Sequence, residues 1–241
     1  MVNLNPHISV DCVVFGFNEP ELSVLLINRE RDDVHERRLK LPGNLIRFHE
    51  TLKDSANRVL SELTGLQNLY LKQFGVFDHP DRLKSNGDLE WLQKSSGIKV
   101  DRVVTIAYYS LINIKESKDT DLSKSFEARW FPVNNLPSLI FDHNQIIDAG
   151  LKTLQRELLT EPLGYELLPK KFSLNQLQRL YEAILGIPID NRNFRKKTSK
   201  LDYIIPLNEF QTGVAHKPAR LNIFDKKRFD EFKKANTGFI I

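Results

Sequence analysis

Two hydrophobic runs near the start of the chain, HISVDCVVFGF from His7 and LSVLLINRE from Leu22, are rich in β-branched and aromatic residues and flank Asn18-Glu19-Pro20-Glu21. This pattern predicts a β-hairpin. A polar stretch, Arg31 to Arg38, leads to Leu41-Pro42-Gly43. Beyond it Leu52, Ala56, Val59, Leu60 and Leu63 recur at helical spacing, and Gly65 is placed to end the helix. LYLKQFGVF from Leu69, VVTIAYYSLINI from Val103 and ARWFPVNNLP from Ala128 read as strands, and Asn144 to Leu159 as a helix. Between the first two of these strands, Asp81 to Lys99 is polar and contains Asn86-Gly87 and Ser95-Ser96-Gly97, so it reads as a surface excursion.

The pattern changes after residue 160. In FSLNQLQRLYEAILG, Ser173 can cap a helix whose apolar face is Leu174, Leu177, Leu180, Tyr181, Ile184 and Leu185, with Gly186 as its terminator. IPID turns the chain, and Asp190 can cap a second helix through NRNFRKKTSKLDY, with Phe194 as the buried residue. A short strand at Tyr203-Ile204-Ile205 and a return strand from Ala219 to Phe224 complete the order helix, turn, basic helix, hairpin, which is that of a winged helix-turn-helix. The chain is thus read as α+β, with two domains at 1–160 and 161–241.

Composition is globular over 241 residues, 41% hydrophobic and 27% charged, with no apolar run long enough for a membrane span and no secretory signal at the start. These features predict a cytoplasmic protein. Cys12, the single cysteine, lies in an apolar strand and reads as a small buried hydrophobe. The net charge of +4 is unevenly placed. Residues 170–241 hold 15 Lys and Arg against 7 Asp and Glu, net +8, which leaves net −4 for residues 1–169. One end is suited to a polyanion and the other is not.

The stretch NLIRFHETLKDSANRVLSELTGL, Asn44 to Leu66, resembles the Nudix box, a pyrophosphohydrolase motif. Aligned on Leu41-Pro42-Gly43, it places Asn44 at the first Gly of the motif, Glu50 at the first Glu, Arg58 at the Arg and Gly65 at the closing Gly. Of the three helical carboxylates that would converge on a divalent cation, only Glu62 remains, because Val59 and Leu63 stand at the other two positions. Apolar side chains supply no oxygen to magnesium. Neither catalysis nor a bound metal or cofactor is expected, although Glu62 and Glu50 leave a weak hydrolase as an alternative.

The resemblance extends further. LLPKKFSLNQLQRLYEAILGIPIDNRNFRKK is similar to the C-terminal domain of the NrtR-like transcriptional regulators, in which a Nudix-like α/β/α sandwich precedes a winged helix. This likeness implies a homodimer on a palindromic operator whose DNA affinity responds to a small effector. Because relatives with a decayed box respond to sugars such as arabinose, the resemblance together with the departures at Asn44, Val59 and Leu63 implies a sugar effector and control of its catabolism, with ADP-ribose or a related nucleotide of NAD metabolism as the alternative. A binding module for nucleotides or RNA with no regulatory role is the third reading.

For the effector, Asp11 stands out as a carboxylate between Val10 and Cys12 in a buried strand, where it needs a partner or a ligand. Arg29, Lys40, Asp78 and Arg82 are the charged groups expected near it, with Phe48 or Tyr109 as an aromatic wall. A structural pairing of Asp11 with Arg29 or Lys40 is an equal alternative. His79 and His143 read as loop or capping residues. For DNA, Arg192, Asn193, Arg195, Lys196 and Lys197 surround Phe194, and His216, Lys217 and Arg220 lie in the hairpin. Arg and Asn suit base edges while Lys and Arg suit phosphates.

Overall fold

The first hairpin forms where the β-branched runs place it: β1 (Leu4–Asn18) and β2 (Glu21–Asn28) join across Glu19-Pro20. In the computed structural model, residues 3–28, 39–83, 87–115, 126–158, 164–213 and 217–235 are described. The chain continues through β3 (Leu39–Lys40), β4 (Gly43–Arg47), α1 (Leu52–Thr64), β5 (Lys72–Phe77), α2 (Asp88–Ser96), β6 (Val104–Asn113), β7 (Arg129–Pro132) and α3 (His143–Leu158). These strands make one sheet in the order β3-β2-β1-β6-β5, with β4 also paired to β1 and β7 to β2. Alternation along β1 sends Cys12 to one face, where its thiol meets the Ala56 carbonyl of α1, and Phe15 to the other, where it packs on Gly150 of α3. Burial, followed by the neighbouring Asp11 charge, pushes the Cys12 thiol far above its ordinary pKa, so it behaves as core.

Helix α1 ends at Gly65, whose φ of 79° is left-handed and favours glycine. Its start is more strongly specified than the pattern alone suggests, because Thr51 and Asp54 form a reciprocal capping box. Ala56, Val59, Leu60 and Leu63 are buried as the helical spacing requires.

The excursion read between Asp81 and Lys99 is instead structured. It contains α2, bracketed by Gly87 and Gly97, and its Leu89 and Leu92 pack with Ile98 on a core of Leu45, Leu83, Val100 and Val103. Trp91 is buried at 8% exposure. The polar stretch 31–38 lies outside the described residues.

The C-terminal segment contains α4 (Gly164–Leu167), β8 (Phe172–Ser173), α5 (Leu174–Leu185), α6 (Asn191–Thr198), β9 (Ile204–Phe210), β10 (Arg220–Phe224) and α7 (Lys226–Ala235). The three strands form a sheet ordered β8-β10-β9. Ser173 caps α5 in a box with Gln176, and Gly186 closes it at φ 70°. The basic helix is shorter than its sequence suggests: after Thr198 the chain tightens into i→i−3 bonds, Lys200 N–H to the Lys197 carbonyl and Leu201 N–H to the Thr198 carbonyl. Helix α7 follows the hairpin without having been anticipated; Phe229 and Phe232 pack edge-on against Tyr203. Contacts divide the chain into two units, Met1–Gly16, Ser23–Leu111 and Ser117–Leu151 in one, and Phe17–Leu22, Ile112–Glu116 and Lys152–Ile241 in the other.

Candidate functional site

Pairing of β1 with β4 sets Asp11 directly opposite Gly43. A Cβ at position 43 would collide with the Asp11 carboxylate and stand 2.9 Å from the Val10 carbonyl, so glycine is required by close approach. Above this pair lies a cavity of about 180 Å3 in the first unit, lined among others by Asp11, Lys40, Arg82, Trp91, Phe141 and His143.

The polar groups of the cavity hold one another. Asp11 accepts the Thr105 hydroxyl at 2.6 Å and lies 3.8 Å from Arg82. Arg82 is clamped by Asp142, its Nε at 3.0 Å and Nη2 at 2.8 Å from the two carboxylate oxygens. His143 accepts the Leu41 backbone N–H on Nδ1 at 3.0 Å. Burial is the main cause that lowers the His143 pKa to about 4, so at neutral pH the ring is uncharged. With Nδ1 accepting, its proton sits on Nε2 and faces Asp11 at 3.5 Å. Lys40 donates to the Gly43 carbonyl at 2.8 Å and lies 5.4 Å from the centre of the Trp91 ring. Phe141, at a left-handed φ of 55°, sets its ring edge-on to His143.

The structure therefore gathers three of the expected effector residues, Asp11, Lys40 and Arg82. Asp78 and Tyr109 stand outside the cavity: the Asp78 carbonyl accepts from Arg102, and Tyr109 packs on Phe74. Phe48 is 54% exposed and forms no wall of the cavity. Arg29 lies outside the described residues. His143, read as a loop or capping residue, is in the cavity, Trp91 and Phe141 join it, and Asp142 holds Arg82 there. Trp91 at helical spacing from Asp88 was the one signal available in sequence.

The remaining Nudix-box carboxylates are occupied by arginines. Glu50 takes Arg58 Nε at 2.6 Å and Nη2 at 2.9 Å, and Glu62 takes Arg58 Nη1 at 3.0 Å and Arg47 Nη2 at 3.1 Å. Val59 and Leu63, at the other two helical carboxylate positions of the motif, are buried. Among the described residues, no group of three or more His, Cys, Asp or Glu is placed to hold a metal ion.

The Arg58 hydrogen bonds, chiefly, lower the Glu50 pKa to about 2. Because the folded value lies below the unfolded one, the stabilisation from Glu50 is fully present above about pH 4.5 and is lost as pH falls toward 2. Acid denaturation is therefore expected to flatten over that window in Glu50→Gln; an unchanged pH slope would refute the assignment.

In the second unit, Asp190 caps α6 by accepting the Asn193 N–H at 2.8 Å. Phe194 and Thr198 face inward, whereas Arg192, Asn193, Arg195, Lys196 and Lys197 are all exposed. Lys217 is exposed in the hairpin, and Arg220 is held by its own strands, donating to the Leu207 carbonyl at 2.6 Å and to Asn208 at 3.0 Å. His216 lies outside the described residues. No helix among the described residues is long and apolar enough to cross a membrane.

Comparison with known proteins agrees with this architecture. Residues 164–224 match the family model described as the NrtR DNA-binding winged helix domain. The chain is 26% identical over 231 residues to the ADPR-responsive transcriptional repressor NtrR of Acinetobacter baylyi, covering 94% of this chain and 85% of that protein. It is 31% identical over 144 residues to an ADP-ribose pyrophosphatase of Methanocaldococcus jannaschii, covering 60% and 72%. Shewanella oneidensis NrtR, solved in complex with a 27mer DNA, has a similar fold, with a TM-score of 0.72 at 24% identity over 92% of this chain and 95% of that one. The chain is thus NrtR-like in architecture, a Nudix-like domain followed by an NrtR winged helix domain over residues 164–224.

Proposed function

We propose that this protein is a DNA-binding transcriptional repressor whose Nudix-like domain takes ADP-ribose or a closely related nucleoside diphosphate as effector. The observation that carries the reading is the presence, in one chain, of a cavity with buried charged groups in its wall and an exposed, capped basic helix. Asp11, Lys40, Arg82 and His143 are the polar groups proposed to meet the effector, and α6 with Lys217 the surface for operator DNA. The expected sugar effector gives way here, because the two relatives that align over most of their length are both described by ADP-ribose. The effector acts by binding one arrangement of a homodimer more tightly than the other, which shifts the population able to span two half-sites.

The same reading makes the Nudix-like domain a sensor without turnover. Two of the three helical carboxylate positions are apolar and buried, and the arginine pair neutralises what remains. Calorimetry with ADP-ribose and with arabinose tests the effector. ADP-ribose is expected to bind without magnesium, and no AMP is expected on prolonged incubation with it. Binding of arabinose alone, or magnesium-dependent release of AMP, would overturn the proposal.

DNA binding is tested on a duplex enriched from a random library by the full chain. Arg192→Ala with Arg195→Ala is expected to weaken binding on the order of a hundredfold, since a good bidentate base contact contributes about 1–3 kcal/mol of discrimination. The melting temperature should not move, because both side chains are exposed. Undiminished affinity would remove α6 from the interface.

A further inference from the structure

Arg195 differs from the lysines beside it in being fixed. Its Nε donates to Asn191 Oδ1 at 2.9 Å, and its Nη2 donates to Asn175 Oδ1 at 2.8 Å. Both acceptors are neutral amides, and no carboxylate among the described residues forms an ion pair with it. Asn191 is itself oriented, because its Nδ2 donates to Gln178 Oε1 at 2.9 Å. Gln178 in turn donates to Glu182 at 3.1 Å and to the Ile189 carbonyl at 3.0 Å. The Asn191 amide is thus set by a chain of donors and acceptors that runs from the turn before α6 to the guanidinium.

A guanidinium has five N–H donors in a planar fork. Here Nε–H and one Nη2–H are used, which leaves both Nη1 hydrogens and the second Nη2–H to donate. Two of these can meet O6 and N7 of a guanine in the major groove. Lys196 and Lys197, point charges on flexible stems, suit phosphates instead. Asn175 is exposed and lies on α5, outside the helix that reads the groove. We infer that Asn175 is a positioning residue for sequence readout: by holding Arg195 without neutralising it, it aims the remaining donors of the guanidinium at a guanine. The inference rests on the DNA-binding reading of α6.

The test measures fluorescence anisotropy of the full chain on the library-enriched duplex, on the same duplex with each G·C pair replaced in turn, and on a scrambled duplex, over a range of salt. Asn175→Ala should weaken binding to the enriched duplex about five- to tenfold, as a partial loss of one bidentate contact. It should leave scrambled-duplex affinity and the salt slope unchanged, because the phosphate contacts are intact. Arg195→Ala should lose more, abolish discrimination at one G·C pair, and make the added Asn175→Ala silent. Asn175→Asp keeps an acceptor for Arg195 but adds a negative charge; it should weaken both duplexes while preserving their ratio.

Additive losses from Asn175→Ala and Arg195→Ala would make Asn175 an independent contact and overturn the inference. Equal loss on enriched and scrambled duplexes with Arg195→Ala would make Arg195 a phosphate contact, which also overturns it while leaving DNA binding in place. Failure to enrich any duplex would instead defeat the underlying reading of α6.

Discussion

Replacing Asp142 with Ala is expected to lower stability by about 3–5 kcal/mol, the cost of leaving a buried charge without its partner. The Arg82 side chain is only 3% exposed, and Asp142 supplies both of its charge-assisted hydrogen bonds. Asp11, the other acid nearby, is 3.8 Å away and already accepts from Thr105, so it cannot replace a bidentate partner. Urea denaturation followed by tryptophan fluorescence reads this directly, because Trp91 and Trp130 both belong to the first unit. Removing both charges, Arg82→Met with Asp142→Leu, should cost less than Asp142→Ala alone, since no orphaned guanidinium remains. A single substitution costing under about 1 kcal/mol would mean that Arg82 is solvated and the cluster is not closed.

Gly43→Ala should damage binding more than stability. The new methyl group meets the Asp11 carboxylate on one side and the Val10 carbonyl on the other, and the latter is backbone in the paired strand. Overpacking of this kind costs about 1–3 kcal/mol. Relief is available only by moving Asp11 off Thr105 and His143, or by parting β1 from β4, and either change rebuilds the cavity. The folded variant is therefore expected to bind ADP-ribose at least a hundredfold more weakly by calorimetry. Affinity equal to that of the unsubstituted chain would show that the effector does not depend on the Asp11 side of the cavity.

Local signals made much of this fold legible. Ser173 and Gly186 bracket α5, Gly65 ends α1, and Glu19-Pro20 turns the first hairpin, each because a cap or turn has a chemical requirement that one or two residues reveal. The exposed basic face of α6 around Phe194 follows from helical period alone. Helix α2 was hidden by its polar residues Gln93, Lys94, Ser95 and Ser96, although Gly87 and Gly97 bracket it and Leu89 and Leu92 share a face. What the cavity does with its residues was not legible for a different reason. His143 meets Leu41 across 102 positions of chain and Asp11 across still more, and Arg82 meets Asp142 across 60. No local pattern carries such pairs. Tyr109 shows the converse: it shares the alternation of Thr105 along β6, but two steps on it packs over Phe74 rather than beside Asp11.

The apolar residues at two carboxylate positions of the motif, Val59 and Leu63, stood out in the sequence, and this led toward a sugar. The structure gives these positions to core packing and ties Glu50 and Glu62 to Arg58. The cations Lys40 and Arg82 line the neighbouring cavity whatever stands at those two positions, so the proposed diphosphate effector does not depend on them.

The most direct test of the account is the affinity of the full chain for its library-enriched duplex, measured by anisotropy with ADP-ribose or arabinose added in the absence of magnesium. The account predicts that ADP-ribose shifts the dissociation constant at least tenfold while arabinose leaves it unchanged, and that Gly43→Ala still binds the duplex but no longer responds. A shift with arabinose, or a duplex affinity indifferent to ADP-ribose, would contradict it.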